Sequence, residues 1–334
     1  MDIDAFVAAH RAEWDRLEGL SRRSGRLSGA EADELVDLYQ RTATHLSAVR
    51  SAAPDPALVG RLSSLVARSR GSVTGARAAS FKDVSDFFLL RFPAAVYRAR
   101  WWWISTGLVF IAVSVALGWW IAVNPDVQNA LAPPDEIKQL VNQDFASYYS
   151  SNPAGSFAFQ VWTNNAWLTA LVIASGGLLG VPIPLMLLQN AINTGAIAGF
   201  MAAHGRLDLF FGLILPHGML ELTAVFVGAG VGLRLGWTII APGDQPRSVA
   251  VGREGRVAIT VAIGLVFVLL MSGAIEAFVT PSGLPTWARI GIGFMAWGGF
   301  LTYVFVLGRR AVLAGETGDL DSSGVGDYRP VSVG

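Results

Sequence analysis

One histidine and one glutamate stand four residues apart in the apolar stretch LILPHGMLELTAVFVGAGVGL, residues 213–233. This spacing places His217 and Glu221 on the same face of a helix. An ionised carboxylate in hydrocarbon costs about 2.5–3.5 kcal/mol even on the lenient insertion scales, so Glu221 needs a partner, a proton or contact with water. The pair is therefore a candidate intramembrane polar site.

Asparagines near the starts of two neighbouring apolar stretches are candidate partners for this pair, because a lipid-facing surface tolerates amide groups poorly. We predict that they join His217 and Glu221 in one buried polar node. Such a node is either a satisfied structural network or a site that handles an ion or a proton. The asparagines are Asn164, Asn165, Asn190 and Asn193.

Metal ligation is a weaker interpretation of the same pair. His217 and Glu221 would supply two ligands, whereas a catalytic zinc site usually has three protein ligands, and no second histidine-rich segment lies in an apolar stretch. Glu276 and Arg289 flank the turn TPSGLPT and predict a structural ion pair across it. The sequence therefore predicts no catalytic residue, no metal ligand and no cofactor, and an enzyme is not the expected class.

The elements that position these side chains follow from composition. Hydrophobic residues make up 52% of the 334 residues and charged residues only 15%, which is too apolar for a soluble globule. A stretch of about 20 apolar residues crosses a hydrocarbon core about 30 Å thick. Six such stretches are predicted as transmembrane helices, at residues 104–123, 166–188, 190–203, 209–236, 258–279 and 287–307.

The predicted fold class is therefore all-α, a polytopic membrane bundle of about six helices with a cytoplasmic helical domain before it. Two of the membrane helices are expected to be broken, because glycines and prolines interrupt them. The interruptions are Gly176, Gly177, Gly180, Pro182 and Pro184 in the second stretch and Pro216 in the fourth.

Small residues repeat every four positions in the third and fourth stretches. Gly195 and Gly199 mark the first stripe, and Gly228 and Gly232 mark the second. Such stripes allow close approach of two helix backbones, so we predict that the third and fourth stretches pack against each other. The stripes also leave a homo-oligomer open.

The chain divides into segments of different composition. Before the membrane, Ser28 and Glu31 form a capping box that begins one of about three amphipathic helices. Aromatic residues then mix with Lys82, Arg91 and Arg98, as in a helix that lies among lipid headgroups. The predicted segments are a helical domain at 1–80, an interfacial segment at 81–103, a membrane bundle at 104–307 with an external loop at 124–163, and a disordered cytoplasmic tail at 308–334.

Arginine placement predicts the orientation. Clusters precede the first apolar stretch, lie between the fourth and fifth, and follow the sixth, so an even number of crossings puts all of them on one side. We expect a multi-pass protein of the plasma membrane with both termini cytoplasmic. The basic residues at 91–100 favour anionic lipids, and no nucleic-acid site is expected.

Three segments resemble the stage II sporulation protein M family: WTNNAWLTALVIASGG, QNAINTGAIAG and especially LPHGMLELTAVFVGAGVGLRLG. The third contains the proline-His-Gly-x-x-Glu signature. The family's Asn-Gly turn is replaced here by Asn193-Thr194-Gly195. The resemblance implies a membrane protein that holds two peptidoglycan-degrading partners at the septal membrane in endospore formers. In other organisms, relatives are often encoded beside a MoxR-type ATPase, a von Willebrand factor A-like protein and another small membrane protein.

The leading functional hypothesis is a non-enzymatic membrane scaffold in cell-envelope remodelling, with the domain at 1–80 docking cytoplasmic partners. The expected partners are membrane lipids, envelope hydrolases, or the MoxR-type ATPase with its von Willebrand factor A-like protein. One alternative is a transporter or channel that uses His217 and Glu221 at the membrane midplane. A second alternative is an intramembrane metalloenzyme, against which the ligand count argues.

Overall fold

The computed structural model describes residues 3–23, 27–52, 55–73, 81–149 and 153–320, and these residues contain helices and turns but no strand. The chain forms two compact units, Met1–Val84 and Ser85–Gly334. The predicted all-α membrane bundle is confirmed.

The described residues up to 73 of the first unit form three helices, α1 (Ile3–Arg22), α2 (Gly29–Ala52) and α3 (Pro56–Val73). Their apolar faces meet in a core that includes Trp14, Leu17 and Leu62, each with no exposed surface. The predicted capping box is present: the Ser28 backbone N–H donates to the Glu31 carboxylate at 2.9 Å, and the Glu31 N–H donates to Ser28 Oγ at 3.3 Å. Local sequence signals thus decide where α2 begins.

From residue 81 onwards the described residues contain twelve α-helices, several of which continue into a π-helical turn. The first eight elements run from α4 to α9. They are α4 (Phe81–Asp86), a π turn (Phe87–Arg91), α5 (Phe92–Arg98), α6 (Arg100–Val123), α7 (Pro125–Leu131), α8 (Pro134–Gln139), a π turn (Leu140–Asp144) and α9 (Phe145–Ser147). The others are α10 (Ala154–Ala174), a 3₁₀ turn (Ser175–Leu178), α11 (Pro182–Ala203), α12 (Leu207–Ile240), α13 (Arg247–Ala274), a π turn (Ile275–Val279), α14 (Thr286–Thr302), a π turn (Tyr303–Gly308) and α15 (Arg309–Leu313).

Five helical segments are long and apolar enough to cross a membrane by length and composition. They are Arg100–Val123, Pro182–Ala203, Leu207–Ile240, Arg247–Val279 and Thr286–Leu313. The sixth long helix, α10, is not among them, because Gln160, Asn164 and Asn165 make its middle polar. The protein is therefore a multi-pass membrane protein. Five of the six long helices after residue 99 meet the length and composition criteria by themselves, and the six crossings predicted from the sequence require α10 to cross as well.

The predicted interruption of the second stretch is present, as a turn between two helices, whereas the predicted break of the fourth stretch at Pro216 is wrong. Residues 175–181 form a turn between α10 and α11, where Leu179 and Gly180 have φ values of 58° and 73°, so two helices occupy the region assigned to 166–188 and 190–203. α12 runs unbroken for 34 residues through Pro216. A proline removes one backbone hydrogen bond, and the close packing of Gly293 against the Pro216 backbone supports the helix there.

The prediction that α11 and α12 pack along their glycine stripes is also wrong. A Cβ at Gly195 would lie 2.8 Å from Ser114 O, and one at Gly199 would lie 2.8 Å from Gly118 O, so the α11 stripe faces α6. Cβ atoms at Gly228 and Gly232 would meet Thr169 and Ile183, in α10 and α11, at 2.8 and 2.7 Å. All four glycines allow close helix contacts, but each stripe has a different partner, because a stripe does not encode which helix lies opposite.

The segment assigned to the headgroup region is partly buried in the bundle. Phe92, Ala94, Ala95 and Val96 are at most 2% exposed, in α5. The backbone of Pro93 meets Gly308 closely, so α5 packs on the π turn Tyr303–Gly308. The small residues Pro-Ala-Ala permit this contact. The part of the segment 81–103 that forms α5 therefore packs into the bundle, and its interfacial depth stays a prediction.

The predicted external loop at 124–163 is mostly helical. α7, α8 and α9 fill residues 125–147, and α10 already begins at Ala154. Apolar side chains of this connection, including Ile137, Val141 and Phe145, are buried against α11 and α12 residues such as Phe200 and Phe210. The connection is therefore a packed cap on one end of the bundle.

The predicted disordered tail at 308–334 is wrong for its first residues. Residues 309–313 form α15, and the fully buried Asp319 accepts two hydrogen bonds from Arg256, both 2.7 Å long. Thr260 Oγ1 donates to Gly318 O at 2.9 Å. These polar contacts fix residues 318–319 against α13, and the prediction for 321–334 lies outside the described residues.

Candidate functional site

His217 and Glu221 lie one turn apart on α12, ~15 Å and ~21 Å from its first residue at ~1.5 Å per residue. His217 is 6% exposed and Glu221 is partly buried. The spacing i, i+4 puts both side chains on the face of α12 that meets α13. The predicted shared face is therefore present.

The last turns of α13 supply the other half of the site. Ser272 Oγ lies 3.1 Å from His217 O and 3.4 Å from Glu221 Oε2, so this hydroxyl bridges the two helices. One turn later, α13 widens into the π turn Ile275–Val279, which contains Glu276. Glu276 is only 4% exposed. Single π turns within α-helices are frequent at functional sites because they redirect side chains.

Glu276 and His217 face each other across this interface. The distance from His217 Nε2 to Glu276 Oε1 is 3.9 Å. His217 Nδ1 lies 3.3 Å from Thr280 Oγ1, whose hydroxyl donates to Ile275 O at 3.4 Å. With the hydroxyl proton used in this way, the tautomer protonated at Nδ1 fits this contact, and it leaves Nε2 unprotonated 3.9 Å from the Glu276 carboxylate.

The ligand atoms of His217, Glu221 and Glu276 all lie within 4.8 Å of one another. Within the described residues, neither carboxylate forms an ion pair with a lysine or an arginine. The predicted ion pair between Glu276 and Arg289 is wrong: Arg289 Nη1 donates to Thr280 O at 2.6 Å, while Glu276 turns into the bundle. The site therefore concentrates two carboxylates and one imidazole without a basic side chain.

Aromatic residues of the packed connection cover the cluster. The Tyr149 ring lies 5.7 Å from the His217 ring, measured between centroids, and Tyr149 is 8% exposed. Burial raises the pKa of the Tyr149 hydroxyl, and the nearby Glu276 carboxylate raises it further. Tyr149 therefore stays a neutral phenol over the physiological pH range.

The structure brings one of the four predicted asparagines to the node. The Asn165 side chain is a hydrogen-bond partner of the Glu221 carboxylate. Asn164 is exposed, Asn190 donates to Met186 O within α11 at 2.9 Å, and Asn193 accepts from Gln189 at 3.2 Å within the same helix. The prediction of one shared node is wrong for these three, because their helices turn them away from α12.

Sequence reasoning missed four members of the site: Ser272, Glu276, Thr280 and Tyr149. The available signal was Glu276, a carboxylate within the apolar stretch 258–279. Such residues are functional-site candidates by default. With Asn165 and Ser272 as hydrogen-bond donors, the cluster is suited to hold a cation or to share protons between three bases.

Family models match both units of the chain. Residues 107–281 match the family model described as Stage II sporulation protein M, and this range contains His217, Glu221 and Glu276. Residues 4–75 match a separate model, described as a domain of unknown function. A protein of Methanocaldococcus jannaschii described as uncharacterized is 22% identical over 150 residues, which are 44% of this chain and 83% of that relative. No solved structure matches the chain.

Proposed function

Because this chain belongs to the stage II sporulation protein M family, we propose that it is an integral membrane scaffold in cell-envelope remodelling. The family match to residues 107–281 is the observation that carries the proposal. In this proposal the membrane bundle anchors the protein in the plasma membrane with both termini in the cytoplasm, and it has no enzymatic activity of its own.

The division of the chain into two units supports a docking role for the first one. Met1–Val84 has its own core around Trp14 and matches a family model separate from that of the bundle. Ion pairs such as Arg16 with Glu34, at 2.6 Å, cover its surface, whereas its apolar residues are mostly internal. A separately packed helical unit with a charged surface can steer and orient partners of complementary charge.

The proposed partners are those that the family resemblance implies. They are peptidoglycan-degrading enzymes of the envelope, or a MoxR-type ATPase with a von Willebrand factor A-like protein. The docking surface is proposed to include the exposed side of α2, where Val36 is 38% exposed.

Site-specific photo-crosslinking in living cells tests the scaffold. A photoreactive residue at Val36 should form an adduct with one of these partners, identified by mass spectrometry. The matched control places the same residue at Leu108, which is 64% exposed on α6 and faces lipid. A Val36 position that yields only lipid adducts or self-adducts, from cells that express the candidate partners, would contradict the scaffold.

A second candidate function, proton or cation translocation, is favoured by the depth and burial of His217, Glu221 and Glu276. In this alternative, Glu221→Gln abolishes flux in a well-folded protein because only the charge is lost. The test is proton and cation flux into proteoliposomes with the wild-type protein, the Glu221→Gln variant and empty vesicles. Equal flux in all three would reject translocation.

A further inference from the structure

The cluster on α12 and α13 has an unbalanced set of charges. Glu276 is 4% exposed, and no hydrogen-bond donor to its carboxylate is found among the described residues; its nearest polar partner is His217 Nε2 at 3.9 Å. Glu221 accepts from Ser272 and Asn165, which are neutral donors. Two carboxylates so close together in a medium of low dielectric constant repel each other unless a proton or a metal cation lies between them.

The orientation of the imidazole also points to a cation. The tautomer protonated at Nδ1 fits the contact with Thr280, and in this tautomer Nε2 is unprotonated and lies 3.9 Å from Glu276 Oε1. A lone pair facing a carboxylate is unfavourable by itself and favourable when both atoms share a positive ion. A hydrogen bond from the second ring nitrogen to a neighbouring acceptor is the arrangement that orients metal-ligating histidines.

We propose that His217 Nε2 and one carboxylate oxygen each of Glu221 and Glu276 bind a single divalent transition-metal cation within the membrane bundle. Thr280 and Ser272 orient the first and second of these ligands. This site goes beyond the proposed scaffold function and does not depend on it. The bound ion joins α12 to the π turn of α13. Glu276 supplies the third protein ligand, which the pair His217 and Glu221 lacks by itself.

The distances fit such an ion after a small closure. Metal–ligand bonds of about 2.0–2.2 Å in a tetrahedral site place the ligand atoms about 3.3–3.6 Å apart. His217 Nε2 and Glu276 Oε1 are 3.9 Å apart, and all three ligand atoms lie within 4.8 Å. Rotation about the side-chain torsions of the glutamates closes this gap, since their carboxylates are not held by arginines. Three protein ligands leave a fourth position for water.

One nitrogen and two carboxylate oxygens select the class of metal. Ca²⁺ takes six to eight oxygen ligands, and Mg²⁺ requires octahedral geometry and keeps most of its waters, so both fit this buried set poorly. Zn²⁺ and Mn²⁺ accept imidazole and carboxylate ligands together. The two negative charges also neutralise a divalent ion, which removes the charge imbalance of the cluster.

Metal binding is measured on the full-length protein, purified in detergent with a tag that contains no histidine, stripped with a chelator and titrated with ZnCl₂ or MnCl₂. The first unit contains a partly buried group, His10, Glu13 and His45, that could bind metal adventitiously. All measurements are therefore repeated in His45→Gln, which removes that group. Glu254→Gln serves as the matched control, because Glu254 is also buried in α13, at 6% exposed, but is paired with Arg234.

The expected result is about one equivalent of Zn²⁺ or Mn²⁺ that remains in His45→Gln and raises the unfolding temperature. Glu276→Gln and Glu221→Gln should weaken binding at least tenfold, while Glu254→Gln should not. Cobalt substitution of the His45→Gln protein should give the intense visible bands of a tetrahedral or five-coordinate site, which keeps the test valid if a glutamate variant fails to fold. Loss of binding in His45→Gln with retention in Glu276→Gln would overturn the proposal, as would a wild-type protein that binds neither metal and gives no cobalt spectrum.

Discussion

Buried carboxylates occur at two places in the membrane bundle, and they differ in what neutralises them. At the start of α13, Glu254 is paired with Arg234 at 2.8 Å, and Asp319 is paired with Arg256 at 2.7 Å. At the end of the same helix, Glu276 and its neighbour Glu221 have no basic partner among the described residues. Glu254 and Glu276 are 22 residues apart, which is ~33 Å along the helix.

The difference separates a structural role from a binding role. At the first place the arginines outnumber the carboxylates. As a result, burial and the neighbouring Arg234 guanidinium lower the pKa of Arg98. At the second place the chain supplies only anions, an imidazole and neutral donors. A buried charge without a partner is costly, so the second place requires an ion or a proton that the chain does not provide.

The largest expected effect is in cysteine labelling, which reports the side of the membrane that each end of α13 faces. A cysteine is either labelled in intact cells or it is not. Ser147 is exposed near the Glu276 end and Gln245 near the Glu254 end, and the native chain has no cysteine. We predict that Ser147→Cys reacts with an impermeant maleimide in intact cells and that Gln245→Cys reacts only after the cells are opened. Labelling of Ser147→Cys only after opening would reverse the proposed orientation.

The next largest effect is expected for Arg256→Met. This variant leaves the fully buried Asp319 without its bidentate partner, which should lower the free energy of unfolding by about 3 kcal/mol. Arg253→Met is the control, because Arg253 lies 4.0 Å from Glu254, which keeps Arg234. Thermal unfolding in detergent should separate the two variants clearly. Equal unfolding temperatures would mean that Asp319 is protonated or finds another partner.

Local patterns were sufficient to predict most of the helical architecture. The apolar stretches located the membrane helices, and Ser28 with Glu31 located the start of α2. Glycine and proline marked the region of the turn at 175–181, but the same residues also fit a broken helix. The periodicity of apolar residues therefore predicted the helices. Whether residues 175–181 form a turn between two helices or a break within one helix depends on the packing of the neighbouring helices.

The site was predictable in part for the same reason. The i, i+4 spacing of His217 and Glu221 is a property of one helix, so it could be predicted. Glu276 lies 55 residues beyond Glu221 and reaches it only because a π turn redirects its side chain. The choice of Asn165 over Asn164 depends on which face of α10 meets α12, and a single sequence does not encode that contact.

A smaller effect is expected when Glu221 is replaced, and two variants separate its roles. Glu221→Leu leaves Ser272 and Asn165 without their acceptor and should destabilise the bundle by about 1–3 kcal/mol. Glu221→Gln keeps the shape and most hydrogen bonds, so the metal-free protein should unfold nearly as the wild type does. A Glu221→Leu protein with normal stability and full complementation in cells would show that this residue has neither role.

The smallest expected effect concerns the first unit, where the partly buried group that changes charge with pH is the imidazole of His45 and not a carboxylate. Trp14 Nε1 donates to His45 Nδ1 at 3.2 Å, and the His10 ring lies 4.0 Å from the His45 ring. Burial lowers the pKa of His45 below its ordinary value, and a charge on His10 lowers it further.

The unfolded chain therefore binds a proton at His45 more readily than the folded unit does. The stability that comes from the neutral ring should be complete above the unfolded pKa of about 6.5 and should be lost as the pH falls through the lower folded pKa. Hydrogen exchange of α1 and α2 peptides, corrected for intrinsic rates, should show weaker protection at pH 5 than at pH 7. His45→Gln still accepts a hydrogen bond from Trp14 but does not titrate, so it should lose less protection over this range. An equal loss in both proteins would assign the pH dependence to other groups, because the only change between them is the ring that titrates.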